Sequence, residues 1–179
     1  EIKDHHFDLK KFLLYGGLPD AYLSSDPHEE LKDYAGTYLK EEIQDEALTR
    51  NLQGFMRFLN SMAELAGLIL DYTKISTKAK VSRSSLVRFI EILEDTLIAS
   101  RIEVFDLAES ADTIKHPKFY FFDSGIARAA AGYSDTEIDS TWRGHSFEAL
   151  VYNELRAFIQ YRKKNRNIFF CAKICGICV

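Results

Sequence analysis

The sequence predicts an α+β, mainly helical chain, ordered as a helical N-terminal part (residues 1–66), a winged helix-turn-helix (67–122) and a third, α/β segment (123–179). Three observations predict it. Apolar residues recur at helical spacing in three stretches between residues 28 and 94. Two β-like runs follow at 97–105 and 118–122, and a long helical pattern returns at 145–160. With 46% hydrophobic and 28% charged residues, the 179-residue chain has the composition of a globular protein large enough to bury a core.

The elements follow in order. Phe7, Phe12, Leu13 and Leu14 open the chain's first apolar stripe, which halts at Gly16-Gly17-Leu18-Pro19. Two glycines free the backbone for a turn, and Pro19 pre-sets the first turn of the next element. Residues 28–48 read as a helix because Leu31, Tyr34, Tyr38, Leu39 and Ile43 recur at its period. Asn51 is placed to cap the next helix, which gathers Leu52, Phe55, Met56, Leu59, Met62 and Ala63 on one face. A short helix at 73–79 then turns at Lys80-Val81. Ser82 caps a helix reaching about Glu94, with Leu86, Phe89, Ile90 and Leu93 as its buried stripe. Short helix, turn, capped helix and two strands joined by the polar loop 108–116 is the order of a winged helix-turn-helix. Beyond it come a small helix at 126–131, the long helix at 145–160 and a strand beginning at Ile168.

Charge is unevenly spread. The net charge is −4, but residues 1–70 carry −6 and residues 71–179 carry +2, so a nucleic-acid contact is expected in the second part. The cluster at 162–166 (Arg-Lys-Lys-Asn-Arg) reads first as a solvated turn. No apolar run approaches the roughly 18–20 residues of a membrane span, and no charged-then-apolar leader is present, so a cytoplasmic location is expected. Cys171, Cys175 and Cys178 all fall in the last nine residues, leaving no disulfide framework through the fold.

Five signatures occur in a fixed order: Tyr15-Gly16-Gly17-Leu18-Pro19, Tyr38-Leu39-Lys40-Glu41-Glu42-Ile43, Val81-Ser82-Arg83-Ser84-Ser85-Leu86, the run from His116 to Asp123, and Phe147-Glu148. In that order the chain resembles the accessory region, a domain of unknown function, that follows the motor in a family of prokaryotic AAA+ ATPases. The resemblance implies a winged helix followed by a segment similar to restriction-endonuclease-like folds, with a P-loop motor preceding both. Two departures stand out. No GxxxxGK[ST] is present to cradle a phosphate, so ATP and Mg²⁺ belong only to the resembled full-length family and no cofactor is expected here. The family's Trp-Arg and Glu-Val-Asp-Phe segments are replaced after Phe170 by a tail containing the three cysteines, which reads as a truncated or frame-shifted end.

Glu148 is the catalytic candidate. At about 100° per residue it falls inside an apolar arc built by Phe147, Val151 and Phe158, with Glu154 on the same side. A buried carboxylate needs a partner, a metal or a raised pKa. In nuclease-like folds such a glutamate joins an Asp and a Glu-x-Lys pair around a divalent metal, and those partners are not readable here, so a structural ion pair or rim position is the leading reading. On the capped helix, Ser84, Arg88, Glu91 and Asp95 face outward with Arg83 beside the cap. Arg83, Ser84, Ser85 and Arg88 are the candidate DNA contacts. Glu91 and Asp95 would repel a phosphate backbone, and Lys74, Lys78 and Lys80 would partly compensate.

The remaining motifs read as structure. The cysteine spacing mimics the iron–sulfur ligands of radical-SAM enzymes, but one residue follows the last cysteine, so no metal site is assigned. His5-His6 with Asp8 reads as a solvated terminus, and Asp123-Ser124-Gly125 as a turn or helix cap. The expected function is a non-catalytic accessory region of an AAA+ ATPase, contacting DNA, a protein partner or the motor itself. The alternatives are a free-standing winged-helix DNA-binding regulator and a metal-dependent nuclease.

Overall fold

A computed structural model describes residues 7–38, 41, 43, 51–103, 117–133, 139–162, 168–171 and 176–178. Its architecture is α+β and mainly helical. Helix α1 (Leu9–Tyr15) is capped by Asp8, α2 (Pro19–Leu23) carries Pro19 in its first turn, and α3 (Pro27–Asp33) is capped by Asp26. The helix expected over 28–48 therefore begins one residue earlier, and at Tyr34–Tyr38 it widens into a π-helical turn. Residues 44–48 lie outside the described residues. Of the apolar stripe that opens the chain, Leu13 is buried and Phe7 is exposed.

Helix α4 (Leu52–Ala63) starts where the Asn51 side chain accepts from Gly54 N, as read from the sequence. Helix α5 (Tyr72–Ala79) ends on Lys80 in the left-handed region, a tight turn made without glycine. Ser82 then accepts from Ser85 N and opens α6 (Arg83–Asp95). Strands β1 (Ala99–Ile102) and β2 (Lys118–Phe121) pair antiparallel, Ala99 opposite Phe121. The first strand does not begin at Leu97, because Leu97 has φ 60° and closes the turn after α6 instead. Gly67 N donates to the Phe119 carbonyl and Leu70 N to that of Pro117, so the 67–70 segment lines the free edge of β2.

Asp123 caps α7 (Ser124–Ala130), and Asp139 caps α8 (Ser140–Tyr161), which starts five residues before the sequence places it. Two three-residue strands, β3 (Phe169–Cys171) and β4 (Gly176–Cys178), pair antiparallel, so part of the cysteine-bearing tail folds back on the strand that precedes it. The loops at 104–116 and 134–138 lie outside the described residues.

The main buried cluster joins α4, α5, α6, the β1–β2 sheet, α7 and α8, while Ala21, Leu31 and Ile126 join α2 and α3 to α7. Phe55, Phe58 and Phe89 form an aromatic triangle with centroids 5.3–6.0 Å apart. Around it pack Met62, Leu70, Ile75, Leu86, Leu93, Ala99, Phe119, Phe121, Ala127 and Trp142. These residues come from all three predicted segments, as expected of pieces without a flexible linker. The sheet alternates as pleating dictates. Ala99, Phe119 and Phe121 face this core, whereas Ile102 and Tyr120 face Tyr152 on α8.

Candidate functional site

Two of the five signatures prove to be one physical unit. The Asp123 carboxylate is buried and accepts from Ile126 N at 3.0 Å, capping α7, and from Gly17 N at 2.6 Å, across 106 residues of sequence. Gly16, at φ 76°, leaves no room for a Cβ beside that carboxylate, and a Cβ on Gly125 would overlap the Tyr15 carbonyl. Burial raises the pKa of Asp123 above the ordinary carboxylate value, while N–H groups of Gly17, Ile126, Gly125 and Leu18 pull it back. The Gly-Gly turn and the Asp-Ser-Gly turn are therefore two halves of a clamp closed on the Asp123 carboxylate.

Glu148 is likewise engaged. Its Oε1 accepts from Lys118 Nζ at 2.7 Å, with both side chains mostly buried. Lys118 lies on the α8-facing side of the sheet, where Tyr120 stacks on Tyr152 at 4.6 Å and Ser100 Oγ lies 3.0 Å from the Tyr152 hydroxyl. The Tyr120 hydroxyl is buried without a hydrogen bond of ordinary geometry, and burial beside the Glu148 charge pushes its pKa well above the phenol value. A cation, rather than a second carboxylate, is what the fold brings to Glu148. Among the described residues no three His, Cys, Asp or Glu side chains gather as a metal group.

The arc that was to bury Glu148 faces the other way. Phe147 and Phe158 are about half exposed, and Val151 is exposed too. The wheel misplaces them because α8 is anchored by Trp142, Ser146, Tyr152 and Ile159, not by its most apolar arc. Trp142 stands edge-on to Tyr133 at 5.2 Å, and the buried Arg128 guanidinium lies over both rings. An open groove of about 610 Å³ results between α1 and α8, walled by Phe7, Phe12, Leu150, Val151, Leu155 and Phe158 with Glu154 among them.

The outward face of α6 is as predicted: Ser84, Arg88, Glu91 and Asp95 are all exposed. Arg83 sits over the Tyr72 ring at 5.8 Å. The Ser84 and Ser85 hydroxyls lie 3.0 and 2.8 Å from the Ser82 hydroxyl, so Ser85 serves the cap. Lys74 pairs with Asp71 and Lys78 with Glu64, which leaves less compensating charge for a phosphate backbone than the sequence suggests. Glu94 and Arg101 form a two-pronged ion pair behind this face, with Oε1 to Nε 2.9 Å and Oε2 to Nη2 2.7 Å.

Lys118 and the α1–α8 groove are what sequence reasoning missed. Lys118 is inside a quoted signature, but only the strand register reveals that it points at α8. Asp8 caps α1, while His5 and His6 fall outside the described residues, as does Cys175. No helix among the described residues is long and apolar enough to cross a membrane. The family described as a domain of unknown function (DUF8612) matches residues 6–137. No curated protein and no solved structure matches the chain.

Proposed function

The chain belongs to the DUF8612 family, a domain of unknown function, and from that premise we propose that it is a non-catalytic accessory region of an AAA+ ATPase that works by protein contact. The observation that carries this reading is the exposed apolar groove between α1 and α8. Monomeric proteins seldom leave a contiguous apolar patch uncovered, and a patch of this kind is the usual footprint of a docking partner. The two carboxylates best placed for chemistry, Asp123 and Glu148, are both committed to internal partners. The AAA+ assignment rests on the ordered signatures.

The test is co-expression with a Walker-A-containing protein encoded beside this chain. Wild-type protein is expected to co-purify with it, and Val151→Asp with Phe158→Asp to abolish that association while leaving the circular dichroism spectrum unchanged. Undiminished association of the double variant would refute the reading.

A second reading, a winged helix binding DNA, has one specific observation in its favour: Arg83, Ser84 and Arg88 share the open side of α6. Its signature is a salt-dependent gel shift lost in Arg83→Ala with Arg88→Ala. Absence of any shift at low salt would remove it.

A further inference from the structure

Glu154 is the one charged side chain among the described residues lining the α1–α8 groove. It is exposed, and among the described residues it makes no hydrogen bond or ion pair. Two cations of the same region lie over aromatic faces: Arg162 over Phe158 at 5.4 Å and Lys11 over Tyr22 at 5.1 Å. Glu154 also borders the small recess beside Asp123, next to Asn153, whose amide donates to the Phe121 and Phe122 carbonyls. Among the described residues the groove is thus an apolar channel with one carboxylate, Glu154, near its middle, flanked by Val151 on one side and Phe158 on the other.

We propose that the groove docks an amphipathic helix of a protein partner whose apolar stripe is interrupted by one lysine or arginine, seated on Glu154. The inference rests on the protein-contact reading and names the partner's chemistry. A wholly apolar partner that covered the groove would strip water from Glu154 and leave its carboxylate unpaired, which is costly. A partner cation removes that cost and fixes the register in which the stripe lies. Apart from Phe7, the described residues that wall the groove are helical and offer no sheet edge to extend, so the complementary element is a helix rather than a strand. Leu150 to Phe158 spans roughly 12 Å of α8 at 1.5 Å per residue, which two to three turns of a partner helix cover.

The experiment uses three matched 15-residue helical peptides bearing a leucine stripe, with lysine, glutamate or leucine at the central stripe position. Fluorescence anisotropy at 150 mM salt measures their binding to the whole chain. Wild type is expected to bind the lysine peptide at least ten-fold more tightly than the glutamate peptide, and Glu154→Lys to reverse that order. Because Glu154 is exposed, the substitution leaves the fold intact. Equal affinities that Phe158→Asp abolishes would overturn the cation and leave the protein-contact reading standing. If no peptide binds, both fall. Retention on neutral phosphatidylcholine vesicles without peptide binding would overturn both in favour of a lipid surface.

Discussion

Helices α6 and α8 both carry several large apolar residues but treat them in opposite ways. On α6 the stripe Leu86, Phe89, Ile90 and Leu93 is buried almost completely, and the polar side meets water. On α8 the phenylalanines at 147 and 158 meet water, while a serine, Ser146, is buried with its hydroxyl unpartnered among the described residues. The difference is one of anchoring. Helix α6 is held by its own periodicity against the Phe55–Phe58 pair, whereas α8 is held at chosen points, by Trp142 at its start and by the Lys118–Glu148 and Ser100–Tyr152 pairs along its length. A helix positioned by specific contacts can keep an apolar face free for something else.

The sharpest way to break this comparison is to truncate one residue from each helix. Phe89→Ala is expected to cost about 3–5 kcal/mol in urea unfolding, the range for a buried aromatic. Phe158→Ala is expected to stay within about 0.5 kcal/mol, as for a surface position. Equal costs would mean that α8 is packed on both sides, and the contrast would disappear.

Asp123→Asn comes next. It puts an amide where a carboxylate accepts N–H groups from both turns, and a loss of about 1.5–3 kcal/mol is expected. The pH dependence carries a sign. Because the folded-state pKa is raised, the native chain holds its proton longer than the unfolded chain. The Asp123 contribution to stability therefore falls as pH climbs from the ordinary carboxylate value to the raised one, then levels off. Unfolding curves across that interval should show this downward component in the wild type and lose it in Asp123→Asn; an unchanged slope would rule it out. A smaller loss than at Asp123 belongs to the α6 cap. Ser82→Ala is expected to cost about 1 kcal/mol, read from the same curves, and a value near zero would show that Ser84 or Ser85 replaces the cap.

The features legible in the sequence were local. The Asn51 and Ser82 caps act three residues away, the α6 stripe repeats every 3.6 residues, and Pro19 sits at a helix start for reasons of its own ring. Those that escaped were set across the fold. Leu97 takes a left-handed conformation that no neighbouring residue announces, because β-pairing at Ala99 decides where the turn must close. The start of α8 is tied to the edge-on contact of Trp142 with Tyr133 beneath Arg128. The partner of Glu148 is 30 residues away on a strand, and only sheet register aims Lys118 at it. Strand β4 is too short for any period and exists by pairing with β3. The groove was hidden for the same reason: a helical wheel finds an apolar arc but cannot tell which side of the helix the rest of the protein occupies.

The clamp between Gly17 and Asp123 has a consequence for the order of assembly. During synthesis Gly17 leaves the ribosome well before its carboxylate acceptor, which lies 106 residues later. Until then α1 can meet only its neighbours α2 and α3, whereas α4, α5 and α6 already hold much of the aromatic core within one contiguous stretch. The N-terminal helices are thus obliged to dock late, onto a body that has begun to fold without them. The wall of the groove that α1 supplies is then among the last parts of the molecule to be put in place.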